Sequence, residues 1–506
     1  MPFLRSIISW LIIKRMTQIE LMRKYPFDVQ RETFQKLITT AKDTEFGRLY
    51  DFQSIDSYET FRSRIPIQHY EDIQPYVMRL MKGEQNILWP SEIRWFAKSS
   101  GTSSDKSKFI PVSRESLEEC HFGGGKDMYA IYMTHFPETN IFKGKTLALG
   151  GSHQVNNFSN ESFYGDLSAV MIKNLPFWAD FKRTPGNDIA LLPEWDEKID
   201  MMAKATSGEN VTSIAGVPSW TLVLLKRILE LNGTDSIEGI WPNLELFIHG
   251  GVSFKPYRDY FKRIILSSSV SYLETYNASE GFFAIQDDFS CESLLLMLDY
   301  GIFYEFIPLD RLQDDPPPAM NIEDVKTGVN YAMIISTNAG LWRYVIGDTV
   351  VFDSVSPFRL RITGRIKHFI NAFGEELIVD NAEKALEIAC SRTGTVIREY
   401  TAGPVFMDEQ TKGCHEWLFE FINPPPSFEH FLELLDNALK TLNSDYEAKR
   451  YKNLTLDFPK ATILPDGTFY QWLKSKGKLG GQNKVPRLAN HRDYINEILN
   501  LARLEK

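Results

Sequence analysis

Apolar residues recur at helical spacing from the start of the chain. Leu11, Ile12 and Met16 share a face within residues 3–25, and Phe34, Leu37 and Ile38 do so within 28–42, the period of helices that bury one stripe. Tyr58 to Met81 continues as short helices broken at Pro66 and Pro75, because proline removes a backbone donor and crowds the preceding turn. The period then changes. Arg94–Ala97 and Phe109–Val112 read as strands on either side of a polar stretch. A helix is expected from Ser113 to Tyr132, interrupted at Gly123-Gly124-Gly125, where three glycines cost roughly 2–3 kcal/mol against alanine. They either break the helix or let something pack close to its backbone, as a pocket wall or a helix-to-helix joint.

Four apolar runs of strand length follow: Thr146–Leu149, Thr212–Ala215, Leu244–His249 and Ser271–Tyr276. Each ends in a glycine or polar turn: Gly150-Gly151-Ser152, Gly216-Val217-Pro218, Gly250-Gly251, and Asn277 to Gly281. Ser219 is expected to cap a helix from Trp220 to Leu231. Strands alternating with helices make an α/β sheet, with ligands beyond the carboxyl ends of the strands. Residues 294–355 differ, with short β-rich runs that suggest a small antiparallel sheet or barrel. From Asp380 the pattern is a helix (Ala382 to Cys390), strands near Ile397 and Trp417, and a helix from Phe428 to Leu442. That tail is large enough for a core of its own.

Composition narrows the function classes. A chain of 506 residues exceeds one core and implies two or three domains. A net charge of −10, spread along the chain, argues against a general nucleic-acid binder, which needs a basic face. Cys120, Cys291, Cys390 and Cys414 show neither pairing nor metal spacing, which fits a reducing compartment and no structural zinc. The apolar run Ile7 to Ile13 is too short to span a bilayer and has no small-residue cleavage site after it. A helix packed on the body is expected there, with peripheral membrane contact as the alternative.

The candidate chemistry starts between the first two strands. Ser99 to Lys108 holds serines, a threonine, one glycine and two lysines. Small side chains let backbone approach an anion, hydroxyls donate to it, and lysine supplies charge, so the stretch suits phosphates. It lacks the G-x-x-x-x-G-K-[ST] spacing of the common nucleotide loop, and a polar hairpin turn has similar composition. Tyr276 and Glu280 lie four residues apart at a strand end. An aromatic face can stack on a base, and a carboxylate near phosphates holds magnesium. Asp348 follows an apolar strand and suits a ribose diol, although an acid there also serves as a cap or ion-pair partner. Thr363 to Lys367 is a glycine-led turn with two cations, and Lys474 to Arg487 is basic and glycine-rich. No H-E-x-x-H, Cys/His cluster or G-x-S-x-G is present, which argues against a zinc site or a serine hydrolase.

Taken in order, these stretches resemble the adenylate-forming ligase superfamily, and within it the auxin-responsive Gretchen Hagen family of acyl acid amido synthetases. Ser99 to Ser103 through Lys108-Phe109-Ile110-Pro111 matches that family's phosphate loop, with Asp105 where glycine is usual. Tyr276 to Glu280 matches its aromatic-x-x-Ser/Thr-Glu stretch. Tyr344 to Asp348 matches Tyr-Arg-x-Gly-Asp, with Val345 in place of arginine. Gly364 to Lys367 with Gly374 is similar to the superfamily hinge, and Gln482 to Arg487 matches the C-terminal lysine segment.

The resemblance implies an α/β adenylate-forming ligase: a large N-terminal domain (1–362) of sheets, packed helices and a small β-barrel, and a smaller mobile α+β domain (363–506). It implies a reaction in which a carboxylic acid and ATP give an acyl adenylate and pyrophosphate, and the acyl group passes to an amine, typically an amino acid. By position, Ser99, Ser100, Thr102, Ser103 and Lys108 would hold phosphates, Tyr276 would stack on adenine, and Ser279 would line the nucleotide. Glu280 would bind Mg²⁺, Asp348 the ribose hydroxyls with Arg365 beside it, Lys367 would serve as the hinge, and Lys484 would reach the α-phosphate. Gly124, Ser152, Val217, Trp220 and Gly250 would line the acyl site. A cytoplasmic enzyme is expected, acting on small molecules, with no nucleic acid, membrane insertion or obligate protein partner. The alternatives are an acyl-CoA ligase using the same adenylate and a non-catalytic nucleotide- or acyl-binding protein on this fold.

Overall fold

The computed structural model describes residues 2–99, 108–149, 155–158, 162–192, 195–252, 254, 257–312, 314–366, 369–375, 377–407, 412–451, 456–476 and 485–504. The N-terminal stripes form helices Pro2–Lys24 and Pro26–Ala41, the second burying Phe34, Leu37 and Ile38. Pro66 separates helix Tyr58–Arg64 from helix Tyr70–Met81. Pro75, expected to break the chain again, lies inside Tyr70–Met81, where Ile73, Val77 and Leu80 are buried. Packing of that face offsets the hydrogen bond that proline removes.

In chain order the strands are β1 (Trp95–Ser99), β2 (Lys108–Val112), β3 (Lys145–Ala148), β4 (Asn156–Asn157), β5 (Phe163–Gly165), β6 (Arg183–Thr184), β7 (Val211–Ala215), β8 (Leu246–Gly250), β9 (Ser271–Ala278), β10 (Gly281–Ile285), β11 (Leu294–Leu296), β12 (Ile302–Pro308), β13 (Asn330–Thr337), β14 (Tyr344–Val355), β15 (Phe358–Arg365), β16 (Phe369–Ile370), β17 (Leu377–Ile378), β18 (Val396–Val405), β19 (Cys414–Asn423) and β20 (Lys460–Ile463). A small sheet has the order β2-β1-β5-β4, and a large one runs β12-β13-β14-β15-β11-β10-β9-β8-β7-β3-β6. In the large sheet β6, β3, β7, β8 and β9 are parallel, and pairing turns antiparallel from β9 to β10 onward. The β-rich run expected over 294–355 is antiparallel, as expected, and is hydrogen-bonded to the α/β sheet through β11, β10 and β9. The division expected between 362 and 363 falls inside β15, and the chain leaves the large sheet after Arg365.

Two local expectations change. Helix Phe122–His135 runs through the glycine triplet, preceded by a π-turn at Ser116–His121. A methyl group on Gly124 would lie 2.6 Å from the Phe282 ring on β10, so this glycine permits close helix–sheet approach. Helix Pro218–Asn232 starts with Val217 as N-cap and Pro218 in its first turn, and Ser219 lies inside it. Proline suits that position because its missing N–H would be unpaired there anyway.

One core joins the N-terminal helices to the antiparallel half through Phe34, Phe61, Phe303 and Trp342. A second joins the parallel half (Leu147, Ile214, Phe247) to the C-terminal part (Phe373, Ala385, Trp417, Leu435). The C-terminal part carries the sheet β18-β19-β20 and helices Val379–Thr393 and Phe428–Leu442. It shares buried surface with the large sheet. All four cysteines are free thiols. Among the described residues no helix is long and apolar enough to cross a membrane.

Candidate active site

β7, β8 and β9 are parallel, so their carboxyl ends lie on one side of the sheet, and pairing turns antiparallel at β9 and β10. β9 turns tightly into β10 through Ser279 and Glu280, with Ala278 paired to Gly281. Gly281 packs closely there, since a methyl would come within 2.7 Å of the Ile302 side-chain terminus and 3.0 Å of the Phe283 ring. Farther along the sheet, Asp348 on β14 lies directly across from Arg365 on β15. Gly347 precedes Asp348 with φ +94°, a conformation that favours glycine. The ladder shifts register just after Thr349, and bulges of this kind re-aim side chains beside active sites.

These features bring distant residues together. The Tyr276 hydroxyl donates to Asp348 Oδ2 at 2.7 Å, and Arg365 Nε lies 3.0 Å from Asp348 Oδ1. Tyr276 is only 4% exposed, and its ring packs on Phe283 with centroids 4.9 Å apart. The stacking face expected on Tyr276 is thus largely covered, and its hydroxyl is engaged with the carboxylate. Burial, then the Asp348 charge, holds that phenol protonated far above the ordinary tyrosine range.

Glu280 completes the cluster. The residue is half-buried by area, yet desolvation of its carboxyl dominates and pushes it up to about 7. Lys108 is the largest charge pulling it back down, Asp348 pushes it further up, and Arg365 opposes that. Burial also raises the Tyr344 hydroxyl, with Glu280 the leading charge acting on it, and this buried oxygen has no hydrogen-bond partner. In the sequence Tyr344 is only the start of a motif; its unpartnered hydroxyl becomes visible only when the fold brings β14 near Glu280.

Lys108 opens β2 opposite Ser99, the last residue of β1, so both sit at the stem of the hydroxyl-rich stretch. The Tyr70 hydroxyl accepts from Phe109 N at 2.8 Å, and Lys108 Nζ stands 5.6 Å from the Tyr70 ring. Ser100, Thr102, Ser103, Asp105, Ser152, Lys367 and Lys484 lie outside the described residues. Val345, where the resemblance expects arginine, is buried with Ile307, Ala332 and Ile334.

The residues expected around an acyl group separate. A methyl on Gly250 would sit 2.6 Å from the Thr275 carbonyl oxygen, and one on Gly251 would sit 3.4 Å from Val217. Gly250 and Val217 therefore belong to one crowded rim at the ends of β7 and β8. Gly124 is at the Phe282 contact. Trp220 is 9% exposed, and its Nε1 donates to the Phe373 carbonyl at 3.0 Å. Lys449 Nζ stands 3.9 Å from its ring centroid. Trp220 is thus part of the joint with the C-terminal part. Tyr257 donates to the Ala372 carbonyl at 2.8 Å in the same joint. From the other side Glu375 accepts from Phe373 N at 2.7 Å and pairs with His415 at 2.8 Å, both side chains fully buried. Nothing in the local sequence around Tyr257, Glu375 or His415 announces this contact.

Among the described residues no three His, Cys, Asp or Glu side chains form a metal cluster. Glu280 nonetheless suits a single cation. Its carboxyl is an anion deprived of solvent, beside an unpartnered hydroxyl, and Mg²⁺ is commonly held by one or two carboxylates plus substrate phosphates.

Comparison with known proteins identifies the family and the fold. The chain matches the GH3 family N-terminal domain over residues 15–270, the central domain over 295–365 and the C-terminal domain over 380–493. It is 22% identical to the indole-3-acetic acid-amido synthetase GH3.3 of Arabidopsis thaliana, over 94% of this chain and 91% of that protein. It is 23% identical to the 4-substituted benzoates-glutamate ligase GH3.12 of the same plant, over 91% and 92%. Its fold is similar to that of the AtGH3.15 acyl acid amido synthetase in complex with 2,4-DB, with a TM-score of 0.62 at 16% identity over 96% and 95% of the two chains. It is also similar to a 2-hydroxyisobutyryl-CoA ligase in its thioesterification state, with a TM-score of 0.54 at 13% identity over 95% and 92%. The expected family resemblance holds over these three segments, which make up most of the chain, and the protein belongs to the GH3 family.

Proposed function

We propose that this chain is an ATP-dependent acyl acid amido synthetase, joining a carboxylic acid to an amine, in the first place an amino acid, through an acyl adenylate. The observation that carries the reading is the convergence of Lys108, Tyr276, Glu280, Asp348 and Arg365 in one cluster. In the first step a carboxylate oxygen attacks the α-phosphorus of ATP, the bond to the β-phosphate oxygen breaks, and pyrophosphate leaves. Negative charge grows on phosphate oxygens, so the protein's task is positioning and charge neutralisation. Lys108 would hold the departing phosphates with Ser99, Ser100, Thr102 and Ser103, while Asp348 receives the ribose hydroxyls beside Arg365 and Ser279 borders the nucleotide. Lys484 would reach the α-phosphate, on a C-terminal part that turns about Lys367. Glu280 would hold Mg²⁺, which when bound supplies positive charge to the phosphate oxygens.

In the second step the amine nitrogen attacks the acyl carbonyl, the bond to the AMP oxygen breaks, and the amide forms with loss of a proton. The rim of Val217 and Gly250, with Ser152, would face the acyl group. Two relatives are named for indole-3-acetic acid and for 4-substituted benzoates, which puts aromatic acids first in any screen. The setting proposed is the cytoplasm, with small-molecule partners only.

Pyrophosphate exchange into ATP, run against a panel of carboxylic acids, tests the first step. Exchange with at least one acid is expected, and mass spectrometry with mixed amino acids and coenzyme A then identifies the acceptor. A coenzyme A thioester without an amide would replace the amide reading. No exchange with any acid would leave only a ligand-binding protein.

A further inference from the structure

The geometry points to the Tyr276 hydroxyl as the group that positions Asp348 for the nucleotide sugar. With Arg365 it turns the carboxylate so that both ribose hydroxyls are accepted, and selection of a ribonucleotide over a deoxynucleotide depends on it. The inference rests on the adenylating reading above and deepens it.

Three observations support this assignment. Asp348 is gripped from two strands, by the β9 phenol on one oxygen at 2.7 Å and the β15 guanidinium on the other at 3.0 Å. Donors on both oxygens fix the carboxylate plane as well as its position. A carboxylate offers about four acceptor positions, so these two contacts among the described residues leave one on each oxygen, as a vicinal diol requires. The backbone is also shaped for the purpose, with Gly347 at φ +94° before Asp348 and a register shift after Thr349. The phenol stays a donor because burial keeps it protonated. Arg365 alone would hold one oxygen and leave the carboxylate free to swing about that contact.

The positioning role differs from that of a merely structural hydrogen bond in what it does to sugar selection. The full-length protein would be titrated calorimetrically with ATP, 2′-deoxy-ATP and 3′-deoxy-ATP, with pyrophosphate exchange measured in parallel. Tyr276→Phe keeps the ring and removes the hydroxyl. Loss of a hydrogen bond to a charged group is expected to weaken ATP about tenfold and each deoxynucleotide by less than about twofold, collapsing the preference for ATP. In exchange the loss is expected in KM for ATP, with kcat nearly unchanged. Asp348→Asn should collapse the same preference, and adding Tyr276→Phe to it should cost nothing more. Equal weakening of all three nucleotides, or an unchanged preference, overturns the inference. If Tyr276→Phe fails to fold by circular dichroism, Arg365→Gln removes the other donor and must also collapse the preference; an unchanged preference then overturns it. The outcomes separate from those of the parent reading. A collapsed preference in a protein without exchange sinks the enzyme and keeps the positioning role, whereas absence of nucleotide binding overturns both.

Discussion

At the residue scale the most informative group is Glu280. Its carboxyl ordinarily ionises near 4.5 and is pushed up to about 7 by burial. Metal binding needs the ionised form, so below about 7 a proton competes with Mg²⁺ for the same oxygens. Nucleotide binding that depends on Mg²⁺ should therefore strengthen as pH rises from 5 to about 7 and level off above it. Stability runs the other way. A carboxyl whose folded-state pKa is raised favours the fold while protonated, so its contribution is lost as pH rises from about 4.5 through about 7. Glu280→Gln should flatten the pH dependence of Mg²⁺-ATP binding and weaken that binding at pH 8. Isothermal titration between pH 5.5 and 8.5 checks both, and an unchanged pH profile in the variant would assign the titration to another group. Lys108 enters the same account, because it is the largest charge lowering Glu280. Its replacement by methionine should move the rise in binding to still higher pH.

At the element scale, close approach decides which residues are allowed. Gly124 sits where helix Phe122–His135 meets β10, and a methyl there would lie 2.6 Å from the Phe282 ring. Gly124→Ala raises helix propensity by about 1 kcal/mol, yet forces the aromatic ring or the helix to move, an overpacking cost of about 1–3 kcal/mol. Net destabilisation is expected, whereas Gly125→Ala, with nothing within 4 Å of the new methyl, should be neutral or stabilising. Urea denaturation of the two variants measures the difference, and equal midpoints would refute the close-packing account. The glycine triplet is legible in the sequence as a place needing small residues. Which glycine matters is not, since Phe282 is brought up only by the sheet. Pro75 teaches the same lesson from the other side: local propensity predicts a break, and the buried stripe of Ile73, Val77 and Leu80 carries the helix through it.

On the scale of the whole molecule, the joint between the large sheet and the C-terminal part stands out. Trp220 and Tyr257 donate to consecutive carbonyls of Phe373 and Ala372, while Glu375 and His415 secure that turn from the C-terminal side. Phe373 itself is fully buried and belongs to the core shared by the two parts. The paired change Trp220→Phe and Tyr257→Phe keeps aromatic bulk and removes both donors, leaving two buried carbonyls unpaired. A buried unsatisfied group costs about 1–3 kcal/mol, so the docked arrangement should loosen. Limited proteolysis is expected to cut residues 365–376 several-fold faster in the double variant, and an unchanged cleavage rate would mean that apolar packing alone holds the joint.

The sequence by itself determined the alternation of strands and helices, the polar and glycine turns at strand ends, and the order of five motifs that identifies the family. These are short-range properties: period, turn chemistry and spacing are set by residues a few positions apart. It also named Lys108, Tyr276, Glu280, Asp348 and Arg365, each as a separate possibility with an ordinary structural use. Only the tertiary structure decided that these five meet, because strands far apart in sequence, β9, β14 and β15, share one sheet and the small sheet carrying β2 packs close enough for the Lys108 charge to act on Glu280. The fold likewise placed Trp220 in a joint with the C-terminal part and Gly124 at a helix–sheet contact. It gave the Tyr276 hydroxyl a partner on β14, far along the chain. Burial and long-range pairing depend on which surfaces face each other, and no window of sequence carries that information.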